Sequence, residues 1–219
     1  MYQVNKCFKA FIFDLDGTVV DTIDLIRDSF RHASRAVLGE QLPDEVLMAN
    51  VGQPLKTQMR LLSPARAEEM YNAYRKFNHA RHDQLIRSFP GIESVLGELK
   101  RRGAQLAIVT SKSRDTVKMA FRTIPVEHFF ETVVATDDTE FHKPHPQPIM
   151  LAMRRLDADA GESVYIGDSP FDIEAGQAAG VATAAVGWGI FPAVRLKELE
   201  PDYYFDKPEE ILMLCPDKN

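Results

Sequence analysis

A chain of 219 residues, 45% hydrophobic and 26% charged, has room for one large globular domain, or for one domain carrying a smaller insertion. Its formal net charge of −6 argues against nucleic acid or an anionic membrane as the main partner. No apolar run approaches the roughly 20 residues that a membrane-spanning helix needs. The segment Met1–Lys6 carries no apolar signal core, and Cys7 and Cys215 are the sole cysteines, with no CxxC spacing. These features predict a cytoplasmic protein with two reduced thiols; they leave open whether it is a monomer or homodimer.

The first element is Phe11-Ile12-Phe13, an apolar run without polar alternation, which reads as a strand buried on both faces of a parallel sheet. It runs directly into Asp14-Leu15-Asp16-Gly17-Thr18. Two carboxylates at the carboxyl end of such a strand stand where open α/β sheets place their ligands, and they repel one another unless a cation or a shared proton intervenes. Helical spacing of Ile23, Ile26, Phe30, Ala33 and Val37 then predicts a helix over 21–38, stopped at Gly39. Further helices are expected over 43–50, 54–62 and 64–85, with no strand among them. Phe89-Pro90-Gly91 reads as a turn, and Ile92–Arg101 as an amphipathic helix.

After Gly103 strands and helices alternate. Strands are expected at Leu106–Val109, Thr132–Thr136, Val164–Ile166 and Ala182–Val186, with helices at Arg114–Arg122, Pro148–Leu156 and Asp172–Ala179. This rhythm predicts an α/β fold: a Rossmann-like parallel sheet with helices on both faces. The core is expected over 1–18 plus 86–219. The block 19–85 interrupts the alternation as an inserted all-helical cap, in a position suited to a lid.

Four predicted strands end in polar residues: Asp14 and Asp16, Thr110 and Ser111, Asp137 and Asp138, and Asp168. Parallel, adjacent strands would gather these groups on one rim. The loop Phe141–Pro146 could bring Lys143 there. Carboxylates, an ammonium, hydroxyls and a tight glycine turn suit phosphoryl transfer, and oxygen-only ligands favour Mg2+. Asp137 and Asp138 read as turn residues. His79, His82 and Asp83 have ligand-like spacing, but with no third ligand nearby a structural role is the stronger reading.

Asp14-Leu15-Asp16-Gly17-Thr18, the hydroxyl after Leu106–Val109, Lys143-Pro144 and Gly167-Asp168-Ser169-x-x-Asp172 together resemble the haloacid dehalogenase superfamily, in its order and spacing, across the whole chain. The resemblance implies that Asp14 is a nucleophile forming an aspartyl-phosphate, and that Asp16 is the general acid/base with a backbone carbonyl toward the metal. It implies Asp168 as a metal-binding carboxylate, with Asp172 as a further ligand or a partner behind it. Thr110 and Lys143 would hold the phosphoryl group, with Leu15, Gly17, Thr18, Ser111 and Gln53 as further substrate contacts. The second aspartate, Asp16, separates this chain from the dehalogenases, which resemble it but need no metal. The inserted helices resemble the group containing phosphoglycolate phosphatase, β-phosphoglucomutase and an inorganic pyrophosphatase. Ala73–Asp83 and Phe129–Val134 look most like the pyrophosphatase branch. The implied activity is Mg2+-dependent hydrolysis of a small phosphorylated metabolite, pyrophosphate or a phosphoglycolate-like ester. A phosphomutase and a non-catalytic phosphate-binding protein are the alternatives. For pyrophosphate, Lys56, Arg60, Arg75, Lys76 and Arg81 are candidate cations of the lid.

Overall fold

The computed structural model describes residues 7–215; the expectation for Met1–Lys6 lies outside them. At the centre lies β1 (Ala10–Phe13), whose four residues are all buried. Its alternating side chains serve two faces: Phe11 and Phe13 enter one hydrophobic cluster, Ala10 and Ile12 another. That two-sided burial is why the segment shows no polar alternation.

β1 pairs in parallel with β4 (Gln105–Val109) on one side and β6 (Ser163–Gly167) on the other. With β5 (Thr132–Val134), β7 (Ala182–Val186) and β8 (Tyr203–Phe205) they form a six-stranded parallel sheet in the order β5-β4-β1-β6-β7-β8. The chain winds outward from β1 to β5, then returns to place β6 on the opposite side. The strand order therefore reverses between β1 and β6, a switch point that opens a crevice at the carboxyl ends. Helices α5 (Ile92–Arg101) and α6 (Arg114–Thr123) supply Val95, Leu96, Leu99, Val117 and Ala120 to the cluster with Phe11 and Phe13. Helices α7 (Gln147–Leu156) and α8 (Pro170–Ala179) supply Ile149, Ala152, Met153 and Ala175 to the cluster with Ala10 and Ile12. The fold is the α/β, Rossmann-like arrangement expected.

Between β1 and α5 lie α1 (Ile23–Leu38), α2 (Asp44–Met48), α3 (Leu55–Leu62) and α4 (Ala67–Leu85). Helix α1 packs along α4, where Phe30 meets Tyr74 edge to face with ring centroids 4.8 Å apart. Their shared cluster includes Leu47, Met59 and Met70, and continues into Ile173, Phe191 and Leu196 beside the sheet. Three features depart from the sequence reading. A two-stranded antiparallel ribbon, β2 (Val20–Asp21) with β3 (Arg87–Ser88), brings together the start and end of the helical block. The strand expected through Thr136 ends at Val134, because the Asp138 carboxylate accepts the Ala135 N–H and bends Thr136–Asp138 into a 3-10 turn. Strand β8 and a short helix α9 (Ala193–Lys197) complete the sheet edge and were not anticipated. No helix among the described residues is long and apolar enough to cross a membrane.

Candidate active site

The strand order puts the ends of β1, β4 and β6 side by side, and the backbone ties them. Asp14 N donates to Ile166 O, tying β1 to β6, and Thr110 N donates to Val134 O, tying β4 to its outer neighbour β5. The side chains that follow these strands meet in one cleft of about 870 Å³ between the sheet and the helical block. Asp14, Asp16, Thr110, Ser111, Lys143, Asp168 and, from the loop before α3, Gln53 all line it.

Lys143 is almost fully buried and bridges two carboxylates, with Nζ 2.8 Å from Asp14 Oδ1 and 2.6 Å from Asp172 Oδ1. Asp172 is spent on this scaffold. Its Oδ1 also accepts from the Tyr165 hydroxyl at 3.0 Å, and its Oδ2 accepts from Ser169 N and Oγ at 3.0 and 2.6 Å. The Ser169–Asp172 pair is also the capping box of α8, so one motif starts the helix and fixes the carboxylate. Asp14 Oδ2, by contrast, takes no hydrogen bond from the described residues. Asp168 is pinned through Oδ2 by the Ile190 N–H at 2.7 Å, with Thr18 Oγ1 3.5 Å from Oδ1.

Asp14, Asp168 and Asp172 each offer an oxygen within 4.8 Å of the others. Three buried carboxylates therefore face one ammonium. Burial, outweighing the pull of Lys143 and reinforced by the Asp172 and Asp16 charges, pushes Asp14 up to about 7. Burial and the charges of Asp172 and Asp14 likewise push Asp168 well above the usual carboxylate range. For Lys143 burial favours the neutral amine, but Asp14 and Asp172 overcome it and hold the ammonium well above the ordinary lysine value. The surplus of negative charge, and a donor set made of oxygen alone, fit a hard divalent cation.

Asp16 stands apart from that trio. Its Oδ1 accepts from Thr22 Oγ1 at 2.6 Å and from Lys112 Nζ at 3.0 Å. Gly17 makes the turn possible: its φ is +76°, and a Cβ there would sit 2.3 Å from Asp168 Oδ2. Leu15 points into the core, leaving only its backbone to face a ligand. The Thr18 hydroxyl is directed to Asp168, and the Ser111 hydroxyl donates to Gly52 O at 2.5 Å. Thr110 Oγ1 accepts from Lys112 N at 3.2 Å. Asp137 and Asp138 serve the turn: Asp137 takes the Arg114 N–H at the start of α6. His82 is buried against Asp83, and His79 does not join it in a ligand cluster among the described residues.

Sequence reasoning missed Lys112, Tyr165 and Ile190. Lys112 had a usable signal, since it directly follows the Thr110-Ser111 pair. Tyr165 read only as strand, and Ile190 acts through a backbone N–H that no side chain announces.

The haloacid dehalogenase-like hydrolase family model matches residues 11–186, most of the chain and every strand end just described. The chain belongs to that family. This hydrolase is 39% identical over 210 residues to pyrophosphatase PpaX of Bacillus velezensis, covering 96% of this chain and 97% of that protein. It is 36% identical over 208 residues to pyrophosphatase PpaX of Bacillus anthracis, covering 95% and 96%. Among solved structures, a protein from Lactobacillus plantarum assigned as a phosphoglycolate phosphatase superposes with a TM-score of 0.85 at 26% identity, covering 95% and 99%. A haloacid dehalogenase-like hydrolase from Streptococcus pneumoniae superposes with a TM-score of 0.83 at 28% identity, covering 94% and 97%. The protein is thus a phosphohydrolase acting on small phosphorylated substrates, as its motifs implied.

Proposed function

We propose that this hydrolase cleaves pyrophosphate with Mg2+, through phosphorylation of Asp14. The observation that carries the chemistry is the asymmetry of the Asp14 carboxylate. Lys143 holds Oδ1, and Oδ2 is left open at the floor of the cleft. A carboxylate fixed by one oxygen presents the other to phosphorus without having to reorganise. Thr110 Oγ1 and the N–H groups of Leu15 and Ser111 are placed after the strand ends to hold phosphoryl oxygens. Asp16 protonates the departing oxygen and then takes a proton from the water that cleaves the aspartyl-phosphate. Lys112 and Thr22, both on Asp16 Oδ1, leave its second oxygen for that exchange.

Asp14, Asp168 and the Asp16 backbone carbonyl would hold Mg2+, with Asp172 steadying the group through Lys143. When bound, the metal supplies charge neutralisation at the phosphoryl oxygens. The near full-length likeness to two pyrophosphatases supports pyrophosphate as substrate. We take 19–85 as the lid: the β2–β3 ribbon forms its paired stalks, and the Val51–Gln53 loop touches the core at Ser111.

A phosphate-release screen with Mg2+ over pyrophosphate, phosphoglycolate and sugar monophosphates tests the reading. Turnover confined to pyrophosphate is expected, whereas preference for a monoester would overturn the substrate. Asp16→Asn should slow turnover by about 10²- to 10⁴-fold. Its metal affinity should survive, because the backbone carbonyl stays; a titration of Mg2+ against melting temperature checks this.

A further inference from the structure

Six lysines and arginines line the cleft, and they divide cleanly. Lys143, Lys112 and Arg114 come from the sheet side, and each is already ion-paired, with Asp14 and Asp172, with Asp16, and with Asp138. Lys56, Arg60 and Arg75 come from α3 and α4, and no carboxylate of the described residues lies within ion-pair distance of any of them. In a chain with net charge −6, uncommitted cations gathered on one wall of an acidic cleft are a specific arrangement rather than an average one.

Two of the three are organised around one ring. Lys56 Nζ lies 5.3 Å from the Tyr71 ring centroid, and the Arg75 guanidinium carbon lies 5.7 Å from it. Arg75 Nη1 donates to the Tyr71 hydroxyl at 3.1 Å, and Nη2 lies 3.3 Å from His79 Nε2. Burial and the Arg75 charge hold His79 below the ordinary histidine value, so its ring accepts as a neutral imidazole. Tyr71, Arg75 and His79 fall at successive i, i+4 positions of α4, which puts all three on one face of that helix. The guanidinium is thus oriented by neutral partners that leave its charge unspent.

Resting on the pyrophosphatase reading, we infer that Lys56 and Arg75, bracketing Tyr71, form the subsite for the second phosphoryl group of the substrate, the one that leaves. The nucleophile side is served by Lys143, Thr110 and the metal carboxylates, so a single phosphoryl group needs nothing from α3 and α4. A leaving group that is itself a compact polyanion does. A preset bidentate guanidinium and a flexible ammonium are the pair suited to it. The subsite selects a diphosphate over a monoester whose leaving group is neutral. Lys76 and Arg81, on the same helix, do not line the cleft and take no part.

The test is calorimetric binding of methylenediphosphonate, a diphosphate that cannot be hydrolysed, to the full chain in excess Mg2+, with orthophosphate as reference. Arg75→Gln and Lys56→Gln should each weaken the diphosphonate by about 10- to 100-fold, the cost of a lost charged hydrogen bond. Orthophosphate should lose at least tenfold less in the same variants. Arg75→Lys should recover part of the loss, and Lys76→Gln should bind as the unaltered chain does. Equal losses for both ligands, or no loss of diphosphonate, overturns the subsite. The substrate reading fails separately, if the unaltered enzyme binds diphosphonate through Arg75 yet releases no phosphate from pyrophosphate. Far-ultraviolet circular dichroism of each variant separates misfolding from lost contact.

Discussion

At Lys143 one ammonium serves two carboxylates, and Asp168 adds a third within reach. Burial first, and then this surplus of negative charge, sets the acid–base behaviour of Asp14, and the same surplus suits the cluster to a divalent cation. An unfolded aspartate titrates near 3.8, whereas burial and its neighbours place Asp14 at about 7. Protonation of Asp14 therefore favours the folded state. The contribution is complete below about pH 4 and is lost as the pH rises through 7, and Asp168 shifts in the same direction. Metal-free protein should melt at a lower temperature at pH 8 than at pH 5, and Mg2+ should restore much of the difference. Asp14→Asn, which cannot ionise, should flatten the slope; a slope unchanged in that variant contradicts the assignment. The aspartates, Thr110 and Lys143 were legible because strand ends and motif spacing mark them. Tyr165 and Ile190 were not, because one looks like any buried strand residue and the other acts through its backbone.

Among the elements, α8 shows most directly how local structure becomes chemistry. Ser169 caps the helix through Asp172, and Asp172 in turn holds Lys143 against Asp14. Ser169→Ala should cost about 1 kcal/mol of stability, the usual value of a lost N-cap. It should also lower turnover, because Asp172 Oδ2 loses the Ser169 hydroxyl and keeps only the Ser169 N–H; thermal melting and phosphate release read the two effects separately. Stability lost with activity intact would show that Asp172 does not need Ser169 to hold its place. The sheet interior was legible from Phe11–Phe13, Leu106–Val109 and Val164–Ile166, whose apolar runs have no other stable home. The β2–β3 ribbon was not, since two residues carry no periodicity. Strand β8 offered only Tyr203-Tyr204-Phe205 between two aspartates, too short a run to separate from a loop.

For the whole molecule, the strand order creates the crevice and the inserted helices roof it. The helical block is joined to the core at the ribbon, through the cluster around Phe191, and where Gly52 meets Ser111 and Ser169. Gly52 has φ +107°, and a Cβ there would lie 2.7 Å from Ser169 Oγ, so the loop can seat only with glycine. If 19–85 acts as the proposed lid, Gly52→Ala should raise the KM for pyrophosphate more than it lowers kcat, since it unseats the Val51–Gln53 loop from Ser111 and Ser169 while leaving Asp14 and Asp16 in place; steady-state kinetics decides. A fall in kcat alone would count against the lid. Asp14 is proposed as the group phosphorylated during pyrophosphate cleavage. The most direct measurement is phosphate release from pyrophosphate in excess Mg2+ by the unaltered chain and by Asp14→Asn, side by side. Turnover by the first and none by the second is expected, with the variant's circular dichroism unchanged. Measurable turnover by folded Asp14→Asn would contradict it.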